Sequence, residues 1–149
     1  MRCFVQTHLN TSPETAWTAV KKPATLVHVA RGFLKFSEAE RFPPEWEQGQ
    51  KLQTRLWFFH IFPGWWWHSL EAVEVDDTRR VIRSHESGFC YTWDHTIRIA
   101  EAPSGCEYSD EIVIRAGLLT FFIWLYANVF YRYRQARWRK LANQLEKGS

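Results

Sequence analysis

His95 and Asp110 are the two residues whose types and placement most invite chemistry in this chain. An imidazole beside a carboxylate can anchor a polar group or act as a general base held by its partner acid. Both lie in alternating runs. Tyr91, Trp93, His95, Ile97 and Ile99 share one parity, with Thr92, Asp94, Thr96 and Arg98 on the other. Cys106, Tyr108, Asp110, Ile112 and Ile114 alternate with Glu107, Ser109, Glu111, Val113 and Arg115 in the same way. Two apolar rows against two mostly polar rows put His95 and Asp110 on the buried face of adjacent strands. A four-residue loop from Ala102 to Gly105 pairs Glu101 with Cys106 and sets Asp110 opposite Ile97. His95 is then diagonal to Asp110, roughly 7–8 Å away between backbones and within side-chain reach. Buried together they should bond, because either alone carries a heavy desolvation cost. Three roles stay open: a bond that fixes the sheet, a polar anchor for a ligand, and a catalytic base. The last lacks an identifiable acid or nucleophile, and Arg132 and Arg134 are alternative partners for Asp110.

Other chemistry is poorly supplied. His60 and His68 flank a turn with no Cys nearby, so no metal site is expected. There is no phosphate-binding glycine loop, no Gly-x-Ser-x-Gly and no CxxC. No cofactor is expected. Cys3, Cys90 and Cys106 are three, an odd number, which argues for free thiols in a reducing, cytoplasmic setting. Arg132, Arg134, Arg137, Arg139 and Lys140 mix with aromatics but would spread around one helix, so nucleic acid is not an expected partner. In Trp65-Trp66-Trp67-His68, neighbouring residues face opposite ways, and at least one ring must lie outside the core. Such rings can shield an edge, form a lip over a pocket, or meet a partner or membrane.

The elements that must position these residues follow from pattern. The chain has 149 residues, 46% hydrophobic and 17% aromatic, enough for one domain over 1–149 with a real core and too aromatic for disorder. Arg2 to Leu9 suits a short strand. Ser12 caps a helix that Pro13 opens, and it runs to about Val20 with Ala16, Trp17 and Val20 inward. Pro23 begins a second short helix, ended by Gly32. Strand patterns follow at Phe33–Ser37, Lys51–Phe62, Trp65–Val75, Arg79–Glu86, Tyr91–Ala100 and Cys106–Arg115, with Pro63-Gly64 as a tight turn. Short connections make this an antiparallel meander. A long helix extends from Gly117 to about Leu145. Its uncharged first half is too short to span a bilayer and reads as buried along most of its circumference. The second half is expected to turn Ala136, Leu141 and Leu145 inward and its arginines outward. Phe130 to Ser149 carries six Lys/Arg against one Glu, on a chain of net charge +3. The outcome is an α+β fold, a curved sheet of about six to seven strands wrapped on one long helix.

At this point the sequence resembles the SRPBCC superfamily with its helix-grip fold, which gathers START lipid-transfer domains, birch-pollen-allergen-type proteins and polyketide cyclase-like proteins. The Ser12-to-Trp17 opening and the terminal helix carry that likeness. Gly88-Phe89-Cys90-Tyr91-Thr92-Trp93-Asp94-His95, Tyr108-to-Ile112 and Tyr131-Arg132 are similar to elements of a bacterial, cell-division-inhibitor-like branch. Ile97 stands where that branch often has a second His, so the resemblance carries no paired-histidine role to this chain. The resemblance implies a small apolar, aromatic or lipid-like ligand in a cavity between sheet and helix. Its expected lining is Trp57, Phe59 and Trp67, then Tyr91, Trp93, His95, Tyr108 and Asp110, with Phe122 and Tyr126 from the helix. A cavity for such a ligand should exceed about 300 Å³. Catalysis of the cyclase or dehydratase kind through His95 is the alternative. A third reading is docking on an anionic membrane through Trp65–Trp67 and the basic helix end.

Overall fold

Ser12 accepts a hydrogen bond from Thr15 N at 3.1 Å, and Pro13 opens the first helix, where a missing N–H costs nothing. The structure, a computed structural model, describes residues 1–88 and 90–148, without the side chains of residues 65 and 66. Phe89 and the Trp65 and Trp66 rings, which figure in the expectations above, lie outside the described residues. In chain order the elements are β1 (Arg2–Leu9), α1 (Pro13–Val20), α2 (Pro23–Ala30), β2 (Leu34–Phe36), β3 (Lys51–Phe58), β4 (Phe62–Asp76), β5 (Val81–Ser87), β6 (Thr92–Glu101), β7 (Cys106–Arg115) and α3 (Thr120–Lys147). They form one seven-stranded antiparallel sheet in the order β1-β7-β6-β5-β4-β3-β2, with α3 lying across it.

The β6–β7 register is the expected one: Glu101 faces Cys106 and Ile97 faces Asp110. Helix α3 runs in the same direction as β1. Trp124 Nε1 donates to Arg2 O, Gln135 Nε2 to Val5 O, and Arg139 to Thr7 Oγ1. One end of the molecule therefore holds the N-terminus, the β3–β4 turn, the β5–β6 loop and the start of α3. The other holds the β4–β5 and β6–β7 turns and the end of α3.

Three expectations need correction. Pro63-Gly64 is not a turn but part of β4, with Pro63 opposite Trp57. The reversal is made by Phe59-His60-Ile61, where Phe59 and His60 take left-handed backbone angles (φ 53° and 61°). His60 Nε2 accepts from Gly32 N at 3.2 Å, which ties that turn to the α2–β2 loop. Second, the first half of α3 is not buried around its circumference: Phe121, Phe122, Leu125 and Val129 are exposed, as are Leu118 and Leu119 in the turn before it. One helix covering one sheet face can bury only one stripe. Third, the buried stripe of the second half is Arg134, Gln135, Trp138 and Ala142, so Arg134 points inward. Ala136, Leu141 and Leu145 are only half-buried at its margin.

Gly64 on β4 lies close against the β3 backbone: a Cβ there would lie 2.6 Å from the Leu56 carbonyl oxygen. Gly64→Ala is therefore expected to lower unfolding stability by about 1–3 kcal/mol, read from a urea midpoint. An unchanged midpoint would show that the β3–β4 pair can spread without cost.

Candidate functional site

β6 and β7 deliver His95 and Asp110 to the concave face, and α3 brings Arg134 and Gln135 down onto them. Asp110 is fully buried and collects four partners. Its Oδ1 accepts from His95 Nε2 at 2.8 Å and from the Tyr108 hydroxyl at 3.0 Å. Its Oδ2 accepts from Gln135 Nε2 at 3.1 Å, and Arg134 Nη2 lies 3.5 Å from Oδ1. Arg134 Nη2 also donates to the Tyr108 oxygen at 2.9 Å. Burial by itself would push the Asp110 carboxyl up. The Arg134 charge and the bonds from His95 and Gln135 outweigh it and hold the acid below its ordinary range. A carboxylate only accepts, so the bonded His95 Nε2 carries a proton. Burial pushes the Tyr108 hydroxyl well up, and it stays a donor to Asp110.

A second buried pair stands beside the first. His68 Nε2 and Glu86 Oε2 are 2.8 Å apart. Desolvation would raise the Glu86 carboxyl, but His68, His95 and Arg134 together bring it below its usual value. Sequence reasoning overlooked Glu86 and His68 as site residues and named Arg134 only as an alternative partner for Asp110. The signal for Arg134 was present in the spacing of Tyr131, Arg134, Trp138 and Ala142, which places all four on one helix face.

Two cavities of about 50 Å³ each lie between sheet and helix. That corrects the expected single space above about 300 Å³: the aromatic side chains mostly fill the interior. The first cavity is bordered by Trp46, Ile82, Ser84, His95, Ile97 and Trp138 among others. The second is bordered by Phe58, His68, Trp93, Tyr126, Phe130 and Tyr131 among others. Leu26, Leu70, Glu86 and Arg134 border both and form the partition between them. Arg134 Nε, Trp138 Nε1, His68 Nδ1 and the Tyr126 hydroxyl are buried with no hydrogen-bond partner among the described residues.

Of the residues expected around a ligand, Trp93, His95 and Tyr126 border these two cavities. Tyr108 and Asp110 stand one layer behind, holding His95 and Arg134. The other five lie elsewhere. Trp57 is half-buried and donates its indole N–H to Ser37 Oγ at 3.1 Å. Phe59, in the left-handed turn, packs on Phe33 with ring centroids 5.1 Å apart. Trp67 faces outward from β4 beneath the Arg55 guanidinium. Tyr91 precedes β6 and is 82% exposed. Phe122 is five residues from the buried Ala127, about 140° around the helix, and so points away from the sheet.

The thiols take no part in such chemistry. Burial pushes Cys90 and Cys106 up to about 11, so both are protonated and poor nucleophiles near neutrality. All three cysteines are free and buried, and no group of His, Cys, Asp and Glu among the described residues could hold a metal ion. No helix among them is long and apolar enough to cross a membrane.

Removing the Asp110 charge strands the Arg134 guanidinium. Asp110→Asn should cost about 3–5 kcal/mol in urea unfolding. The depressed carboxyls of Asp110 and Glu86 contribute stability that is complete above the ordinary carboxylate range of about 4. It is lost as pH falls through their lower folded values. The acid limb of the stability curve should accordingly be shallower in Asp110→Asn, and a limb of unchanged slope would remove Asp110 from this role.

No protein-family model matches the chain, and no curated protein is detectably similar to it. Solved structures are similar throughout its length. Protein CV1439 from Chromobacterium violaceum superimposes with a TM-score of 0.73 at 15% identity, covering 95% of this chain and 96% of its own. Protein NE0264 from Nitrosomonas europaea gives 0.72 at 12%, covering 100% and 97%. Norcoclaurine synthase from Thalictrum flavum, solved in complex with dopamine and hydroxybenzaldehyde, gives 0.66 at 13%, covering 97% and 87%. At such identities likeness shows the fold alone: this chain has a helix-grip fold.

Proposed function

We propose that the protein binds a small, neutral, largely aromatic ligand with one hydrogen-bond acceptor, held between the sheet and α3. One observation carries this reading: Arg134 Nε and Trp138 Nε1 are buried donors without partners, and both residues border the first cavity. A buried donor left unpaired costs about 1–3 kcal/mol, which an acceptor on a bound molecule relieves. Water can occupy the space meanwhile and be displaced. Charge selects the ligand class. Asp110 and Glu86 already set two carboxylates against the one guanidinium of Arg134, so an anion would add repulsion. A ketone or phenol-like oxygen satisfies the donors without it. The apolar partition of Leu26 and Leu70 must give way, joining the two cavities around the ligand.

Similarity to the cell-division-inhibitor-like branch and a reducing, cytoplasmic setting belong to the same proposal. The motif residues Trp93, His95 and Tyr131 in the cavity walls support the first, and three free cysteines support the second.

Titration with 2-acetylnaphthalene, followed by tryptophan fluorescence, tests this. Binding is expected, with 2-naphthoate and unsubstituted naphthalene both at least roughly tenfold weaker, the equivalent of about 1.4 kcal/mol. Leu70→Ala should tighten the complex by joining the cavities, and Leu70→Trp should abolish it by filling them. If neither the wild type nor Leu70→Ala takes up the ketone, the interior is solid and the proposal fails.

A further inference from the structure

The exposed apolar side chains are concentrated at one end of the molecule. Ile61 and Phe62 at the β3–β4 turn, Tyr91 at the β5–β6 loop, and Leu118, Leu119 and Phe122 at the start of α3 are all exposed, Leu118 at 99%. Strand directions place these three segments at the same end of the sheet. β3, β5 and β7 end here and β4 and β6 begin here, in the contiguous sheet order β7-β6-β5-β4-β3. The opposite end is different. Its connections, Asn10–Ser12, Asp77–Arg80 and Ala102–Gly105, expose no large apolar side chain. A patch so confined, rather than single scattered residues, marks a contact surface.

Charge identifies the occupant. Arg31, Lys35 and Arg115 are exposed at this end and make no ion pair among the described residues. The segments 31–33, 59–61, 88–91 and 116–119 contain no Asp or Glu. Apolar turns ringed by unpaired cations match a bilayer surface with anionic headgroups: hydrocarbon accepts the rings and phosphate neutralises the ring of charge. A second copy of this chain would bring the same cations face to face. We infer that this end docks on anionic lipid bilayers, with Leu118, Phe122, Ile61 and Phe62 inserted and Arg31, Lys35 and Arg115 at headgroup level.

The basic C-terminal stretch takes no part. It lies at the far end of α3, where Arg137 is bonded to His28 O and Arg139 to Thr7 Oγ1. Trp67 faces outward on β4, and the inferred surface uses neither it nor the basic stretch. The inference is independent of the interior ligand.

Flotation with vesicles of equimolar phosphatidylglycerol and phosphatidylcholine tests it, beside vesicles of phosphatidylcholine alone. Wild-type protein should float with the anionic vesicles at about 50 mM salt and lose roughly tenfold in binding at about 500 mM, where charge is screened. Leu118→Asp with Phe122→Asp, on side chains that pack on nothing buried, should abolish flotation while leaving the circular dichroism and melting unchanged. Arg115→Glu with Lys35→Glu should weaken binding to anionic vesicles, and Lys140→Glu should not. Absence of wild-type flotation would overturn the inference, as would equal flotation of Leu118→Asp/Phe122→Asp. Wild-type dimers in light scattering that this variant dissolves, without vesicle binding by either, would assign the patch to self-association instead.

Discussion

Everything in the interior is arranged around one buried carboxylate. Asp110 has no contact with solvent, so its charge survives only because His95, Tyr108, Gln135 and Arg134 converge on it from β6, β7 and α3. That requirement fixes more than a bond. Gln135 reaches both Asp110 and Val5 O, which couples the rotation of α3 to the β1–β7 pair. Arg134 is thereby brought onto the wall shared by the two cavities. A helix rotated by one residue would take Arg134 and Gln135 away from the carboxylate and leave its buried charge to His95 and Tyr108 alone, a costly loss.

The same constraint explains why the apolar surplus is divided. The stripe of α3 that meets the sheet is committed to Tyr131, Arg134, Gln135 and Trp138. Leu118, Phe122, Leu125 and Val129, on other faces, have nothing left to cover them. The chain is thus polarised along its length, with a polar network in the middle, an apolar, cation-ringed end and a charged far end. The fold alone does not say which use is made of this, because helix-grip proteins share a scaffold and not a chemistry. The unpartnered donors and the exposed rings are properties of this chain, and they carry the functional argument.

Much of the frame was legible from pattern. The β6–β7 register followed from strict alternation and a four-residue loop, since a one-residue slip would have exposed Ile112 and Ile114. The Ser12 cap followed from local chemistry, which needs no tertiary context. The β3–β4 reversal was not legible. Pro-Gly is a common turn signal, whereas Phe59 and His60 in left-handed conformation are not, and their turn is held by a bond to Gly32 from a distant loop. Trp57, Phe59, Trp67, Tyr91 and Phe122 were assigned to the cavity on aromatic character, which measures how much surface a residue can bury and not which way it faces.

The sequence by itself determined the order of elements, the faces of the last two strands, and the meeting of His95 with Asp110, because alternation and loop length act locally. Tertiary structure alone decided that Arg134 joins that pair, that Glu86 and His68 form a second one beside it, and that the aromatics fill most of the interior. The His68–Glu86 bond depends on the pairing of β4 with β5, and the other two outcomes on the angle at which α3 settles on the sheet. That angle is set by pairing one buried charge across more than twenty residues of chain, from Asp110 to Arg134 and Gln135.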